Sequence, residues 1–150
     1  MVTVISLFAG CGGSSLGYKM AGYKELLAIE WDNNAVETFK LNFSEVPIWK
    51  RDIREVKGKE ILDFLNIKKG ELDLLDGSPP CQGFSTAGKR IVTDDRNDLI
   101  LENIRLIEEL EPKVFVIENV SGMIKGKMKG LFIEYMRLMK SLNFSNGRKM

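Results

Sequence analysis

Cys81 lies in the stretch Asp76-Gly77-Ser78-Pro79-Pro80-Cys81-Gln82-Gly83-Phe84-Ser85. Two successive prolines hold φ near about −65°, so the backbone leading to the sulfur loses little entropy on ordering. Gly83 lets the chain turn away again. A thiol presented in this way reads as a held nucleophile. Its ordinary pKa of about 8.5 must be lowered by positive potential, or its proton passed to a phosphate or to water. Lys89, Arg90 and Arg96 follow it and can supply that potential. The sequence contains no histidine, which excludes Cys-His and Ser-His pairs within the chain. Two cysteines, Cys11 and Cys81, are too few for a zinc site. Glu118, after another apolar run, is the carboxyl best placed for an acid or hydrogen-bonding role.

A second constellation lies nearer the N-terminus. Phe8-Ala9-Gly10-Cys11-Gly12-Gly13 is a glycine turn between a strand-like and a helix-like segment, where a backbone can approach a ligand and a helix start favours an anion. Ser15 stands where G-x-G-x-x-G has its last glycine, which weakens a dinucleotide reading. Cys11 reads as a small packing residue. Glu30 follows Gly10 by 20 positions, as a ribose-binding carboxylate does in nucleotide-binding folds. Trp31 offers a flat face for an adenine, and Asp52 can accept from an exocyclic amine. Singly, Trp31 also fits a core, and Glu30 and Asp52 a solvated surface. Together with the glycine turn they describe a pocket for an adenosine bearing a small charged group. A nicotinamide-dependent oxidoreductase would use the turn and Glu30 but leaves Pro79-Pro80-Cys81-Gln82 unexplained.

These residues need elements to place them. Val2–Phe8, Leu26–Ile29, Val46–Trp49, Leu72–Leu75 and Val114–Ile117 are predicted strands, the last the strongest. Helices are expected from Ser14-Ser15, as N-cap candidates, to about Ala21, then after a cap at Asn33, around Ile61–Leu65, over Leu99–Leu110 and over about Leu131–Leu142. Alternating strands and helices imply βαβ units on a mostly parallel sheet covered on both faces. The glycine turn, Glu30-Trp31, Asp52, Cys81 and Glu118 each fall at a strand's C-terminal end, the edge where such sheets bind ligands.

The 150 residues suffice for one domain, and 44 % apolar with 29 % charged residues is the profile of a folded, soluble chain. No membrane span or signal peptide is read, which favours free thiols in a reducing cytosol and a cytoplasmic protein. The net charge of +1 attracts no polyanion globally. From Ser121 onward, however, Lys125, Lys127, Lys129, Arg137, Lys140, Arg148 and Lys149 face only Glu134. That basic stretch is either a solvated face with a basic tail or a phosphate-facing surface.

Phe8–Gly13, Glu30-Trp31-Asp32, Asp52-Ile53, Pro79–Ser85, Asp95-Arg96-Asn97-Asp98-Leu99 and Glu118-Asn119-Val120 together resemble the DNA cytosine-5 methyltransferases. Order and spacing agree as well as residue types, from about Thr3 to Phe144. The resemblance implies a Rossmann-like fold that uses S-adenosylmethionine as methyl donor and double-stranded DNA as substrate, in DNA methylation of the restriction-modification kind. Phe8 with Gly10, Cys11, Gly12 and Gly13 would surround the donor's methionine part, Glu30 its ribose, and Trp31 and Asp52 its adenine. Ile53, Pro80 and Leu99 would complete that pocket. Cys81 would attack carbon 6 of a flipped-out cytosine, and Glu118 would hold or protonate its ring nitrogen 3. Ser85 to Asp98 matches the family's mobile loop.

One departure stands out. The family's Gln-x-Arg-x-Arg segment, target-recognition region and returning last helix have no match here. The resemblance therefore implies a sheet truncated after about five strands: a shortened form, or one part of a split enzyme completed by a second polypeptide, with poor activity alone. A non-catalytic cofactor- or partner-binding module, or a tRNA cytosine-5 methyltransferase, are the alternatives.

Overall fold

The computed structural model describes residues 1–80, 98–119, 121–124 and 129–144, with the side chains of 98, 122, 123 and 131 left aside. Cys81, the loop up to Asn97, and Lys125, Lys127, Arg148 and Lys149 lie outside the described residues. In chain order the elements are β1 (Thr3–Leu7), α1 (Gly13–Met20), β2 (Lys24–Glu30), α2 (Asn33–Asn42), β3 (Ile48–Lys50), a 3-10 turn (Ile53–Glu55), α3 (Gly58–Leu65), β4 (Leu74–Gly77), α4 (Asp98–Leu110), β5 (Val114–Val116), a second 3-10 turn (Ser121–Ile124) and α5 (Lys129–Ser141).

The strands form one sheet in the order β3-β2-β1-β4-β5. All four pairings are parallel, so every strand's C-terminal end lies on the same edge. The chain first winds outward through β1, β2 and β3, then returns past β1 to continue through β4 and β5. The β1/β4 boundary is therefore a topological switch point, where the connections diverge and leave a crevice.

Alternation of side chains along β2 separates the two faces of the sheet. Leu27 and Ile29 join the larger core with Ile5, Leu7 and Leu75, which packs against Ile61 of α3, Ile104 and Ile107 of α4 and Met139 of α5. Ala28, between them, faces the smaller cluster with Phe39 of α2 and with Phe43. Beside that smaller cluster the face is polar. Ser6 of β1 pairs in register with Asp76 of β4, and both are buried.

Several boundaries differ from the sequence reading for local reasons. The α1 N-cap is Gly12, in the left-handed region at φ 94°, and neither Ser14 nor Ser15 caps the helix. Asp32 caps α2 in place of Asn33, because its carboxylate accepts the Ala35 N–H at 2.8 Å. The fourth strand starts at Leu74 and runs through Asp76 to Gly77, because its register with β1 extends past the apolar run. The third strand, Ile48–Lys50, sits two residues later than expected at its start. Cys11 is exposed, so the packing role expected of it is corrected. Among the described residues no helix is long and apolar enough to cross a membrane.

Candidate active site

The sheet edge carries a cavity of about 210 Å³ lined by Phe8, Ile29, Glu30, Trp31, Arg51, Asp52, Ile53, Arg54, Pro80 and Leu99. Seven of these, Phe8, Glu30, Trp31, Asp52, Ile53, Pro80 and Leu99, are sequence-predicted site residues. They arrive from five separate segments. Ile29, Arg51 and Arg54 join them, without a signal in the sequence beyond adjacency to Glu30 and Asp52.

Glu30 organises the cavity. It ends β2 and is buried at 8 % exposure. Its Oε2 accepts the Gly10 N–H at 2.8 Å, and its Oε1 accepts the N–H groups of Trp31 at 2.8 Å and Asp32 at 2.9 Å. One carboxylate thus ties the glycine turn after β1 to the loop after β2. Among the described residues, Oε2 accepts the one bond from Gly10, which leaves a lone-pair direction for a ligand hydroxyl. Trp31 is 72 % exposed, which rules out the core alternative and leaves a ring face open at the cavity rim.

Asp52 is partly committed. Its Oδ1 accepts the Arg54 N–H at 3.0 Å and its Oδ2 meets Arg54 Nη1 at 3.1 Å, capping the short 3-10 turn that presents Ile53. Arg105 of α4 braces that turn from behind, donating to the carbonyls of Ile53 at 3.2 Å and Val56 at 2.9 Å. Glu102 and Glu109 hold the guanidinium in place. Nothing in the spacing of Arg105 announces this role, because its partners lie about fifty residues away.

The glycine turn divides its labour. Phe8 and Gly10 both take φ 55°, and a Cβ at Gly10 would meet nothing within 4 Å. Gly12 is different. A Cβ there would lie 2.3 Å from the Phe43 ring, so this glycine serves the packing of α2 as well as the left-handed turn. Gly10, Cys11, Gly12 and Gly13 are not among the cavity's lining residues.

On the other side of the switch point, β4 leads into Ser78-Pro79-Pro80. Asn103 of α4 donates from Nδ2 to the Gly77 carbonyl at 2.8 Å, and a Cβ at Gly77 would lie 2.2 Å from Asn103 Oδ1. Glu118, exposed beyond β5, is attached through its backbone: its N–H donates to Ser78 Oγ at 3.2 Å. Asp76 is 4 % exposed, among the hydroxyls of Ser14, Tyr18 and Ser78. Burial pushes its carboxyl above the usual range, against those hydrogen bonds. Burial and the neighbouring Asp76 charge raise the Tyr18 phenol to about 12. Glu25 is likewise raised by burial, opposed by the Ser15 hydroxyl, which donates to it at 3.0 Å. Asp76 and Asn103 went unnoticed in the sequence, where they sit beside or within apolar runs.

Residues 2–149 match the family profile of C-5 cytosine-specific DNA methylases. Type II methyltransferase M.AquIA of Picosynechococcus sp. is 44 % identical over 128 residues, covering 83 % of this chain and 52 % of that protein. Type II methyltransferase M.DdeI of Desulfomicrobium norvegicum is 40 % identical over 145 residues, covering 97 % of this chain and 34 % of that protein. Among solved structures, a protein described as a DNA modification methyltransferase encoded within an E. coli prophage superposes with a TM-score of 0.78 at 35 % identity, covering 92 % of this chain and 37 % of its own. The chain thus spans between about a third and a half of the length of these relatives.

Proposed function

The chain belongs to the C-5 cytosine-specific DNA methylase family, and from that premise we propose that it forms the donor-binding and catalytic portion of an enzyme that methylates carbon 5 of cytosine in double-stranded DNA. The observation that carries this reading is the convergence of Phe8, Glu30, Trp31, Asp52, Ile53, Pro80 and Leu99 on one cavity at the switch-point edge.

The cavity fits the adenosine part of S-adenosylmethionine. Phe8, Ile29, Ile53, Pro80 and Leu99 supply apolar walls, Trp31 an open ring face, and Glu30 and Asp52 acceptors at separate points. In the proposed arrangement Glu30 takes a ribose hydroxyl, Trp31 stacks on the adenine and Asp52 accepts from its amine. Gly10 to Gly13 run beside the methionine part. When bound, the donor supplies an electrophilic methyl group on a sulfonium.

Carbon 5 of cytosine is a poor nucleophile until a covalent adduct forms at carbon 6, and neither carbon can be reached while the base is stacked. The proposed nucleophile is Cys81. Its thiolate forms a C–S bond to carbon 6 of the flipped base, and the ring electrons shift toward carbon 5. Carbon 5 would take the methyl as the donor's S–CH3 bond breaks and its electron pair stays on sulfur, leaving a neutral thioether. Glu118 holds or protonates ring nitrogen 3, offsetting the charge that attack creates. Loss of the carbon 5 proton to a base and cleavage of the C–S bond restore the ring and the thiolate.

Beyond the matched part the relatives carry from nearly as much chain again to about twice as much. The full reaction is therefore proposed for this chain together with the portion that completes them, supplied by a longer product or by a second polypeptide. On its own the 150-residue chain should bind the donor and turn over poorly. Duplex DNA carrying 5-fluorocytosine tests the mechanism. With the donor present, the completed enzyme should form a covalent adduct that survives denaturation, and Cys81→Ser should form none. An adduct that persists in Cys81→Ser would refute the assignment.

A further inference from the structure

Asp76 and Ser78 have no part in the reaction above, yet they lie between its two halves. Asp76 occupies the sheet itself, in register with Ser6 on one side and Val116 on the other. It is almost wholly buried, and the groups around its carboxylate are hydroxyls: Ser14 and Tyr18 from α1, Ser78 from its own strand's exit. A carboxylate this deep is costly to desolvate if left without partners. Such a residue persists where its hydrogen bonds do something. Of these hydroxyls, among the described residues, Ser78 links Asp76 to the strand end after β5. Its Oγ donates to Asp76 Oδ1 over a long 3.4 Å and accepts the Glu118 N–H at 3.2 Å.

We propose that Asp76 and Ser78 are positioning residues: a relay Asp76–Ser78–Glu118 fixes the strand end that carries Glu118 against the exit of β4 and against the first turn of α1. This rests on the role given to Glu118 above. β5 is the last strand in the sheet order, and the Ser78 hydroxyl ties the backbone beyond it to the exit of β4, which sets where the Glu118 carboxyl can reach. Long hydrogen bonds of this kind tighten when a site is loaded. Asn103, gripping the Gly77 carbonyl, keeps Ser78 in line from the opposite face.

The two links separate in experiment. Ser78→Ala removes the outer link and leaves Asp76 with Ser14 and Tyr18. Its Glu118 amide should lose hydrogen-exchange protection, while those of Val114 and Val116 keep theirs. In the completed enzyme, methyl transfer at saturating donor should fall by roughly tenfold or more, the scale of a misplaced catalytic group. The donor Kd should change less than twofold, and Ser78→Thr should restore most of the rate. Asp76→Ala should give the same loss at Glu118 and, in addition, raise the exchange of α1 amides around Ser14 and Tyr18. Unchanged protection of Glu118 in folded Ser78→Ala would overturn the relay. So would a rate loss that tracks donor affinity, or one that Ser78→Thr fails to restore. The exchange measurement reads the relay even if the enzyme proves to act on another substrate, and donor binding and adduct trapping by the parent read the function separately.

Discussion

The two sides of the switch point are built by opposite means. On the β2/β3 side, Glu30 is locked by backbone amides of Gly10, Trp31 and Asp32, donors that cannot rotate away. On the β4/β5 side, Asp76 is surrounded by side-chain hydroxyls, and among the described residues Glu118 is tied through its N–H to Ser78 at 3.2 Å. A donor-binding half needs a fixed shape before its ligand arrives, and backbone amides give that. On the proposed reading the other half closes around an extruded base, and rotatable hydroxyls, which adjust at small cost, suit that task. The contrast teaches that preorganisation here is graded across one sheet edge.

Glu30→Ala should have the largest effect. Three amides would lose their shared acceptor in a site with 8 % exposure. These three hydrogen bonds are part-buried and share a charged acceptor, so a loss of about 3 kcal/mol is expected in urea unfolding, together with donor binding. If the β2/β3 side were as adaptable as the other, the loss would stay under about 1 kcal/mol. Next comes Gly12→Ala, whose added methyl meets the Phe43 ring at a left-handed φ. Overpacking of this kind costs about 1–3 kcal/mol. Gly10→Ala, with open space around it, should lose only the backbone penalty of about 1–2 kcal/mol. Thermal melts of the pair would sharpen which glycine serves packing and which serves the turn.

Trp31→Ala should leave stability within about 0.5 kcal/mol, as exposed substitutions do. Donor affinity should nonetheless fall roughly tenfold, the scale of one lost base-stacking contact. The smallest effect concerns acid. Hydrogen bonds from Lys113 and Thr3 hold the Asp73 carboxyl down at about 2. A depressed carboxylate stabilises the fold above its unfolded pKa of 3.8, and that contribution is lost as pH falls toward 2. Asp76 and Glu25 act with the opposite sign: burial raises them, so protonation relieves them as pH drops. Asp73→Asn should therefore flatten the steepest acid limb of a Tm-against-pH curve. Asp76→Asn should raise stability near neutral pH relative to its value in acid.

Much of this edge was legible in the sequence, because a strand's end and the polar residue that follows it are local features. Glu30, Trp31, Asp52 and Glu118 were placed from apolar runs alone. What those residues touch was not legible. The strand-end position of Glu30 gives no sign that its carboxylate also ties down three amides, one of them 20 residues earlier. Gly12 was read for ligand approach, although the Phe43 ring it accommodates lies on another element. Asp76 escaped notice because the fourth strand was expected to stop at Leu75, which left Asp76 in the loop. Only the register with Ser6 shows it within the sheet. Arg105 could be found only once α4 lay against the 3-10 turn. Patterns of period two or three and a half reveal elements; contacts between elements need the topology.

The central claim is that the cavity edged by Glu30 and Trp31 receives the adenosine of S-adenosylmethionine. Titrating the chain with that donor while following tryptophan fluorescence tests it directly, since Trp31 is open at the rim and Trp49 rests against Phe64. A saturable change that disappears in Trp31→Phe is the predicted result. No saturable change, or one that persists undiminished in Trp31→Phe, would contradict the assignment.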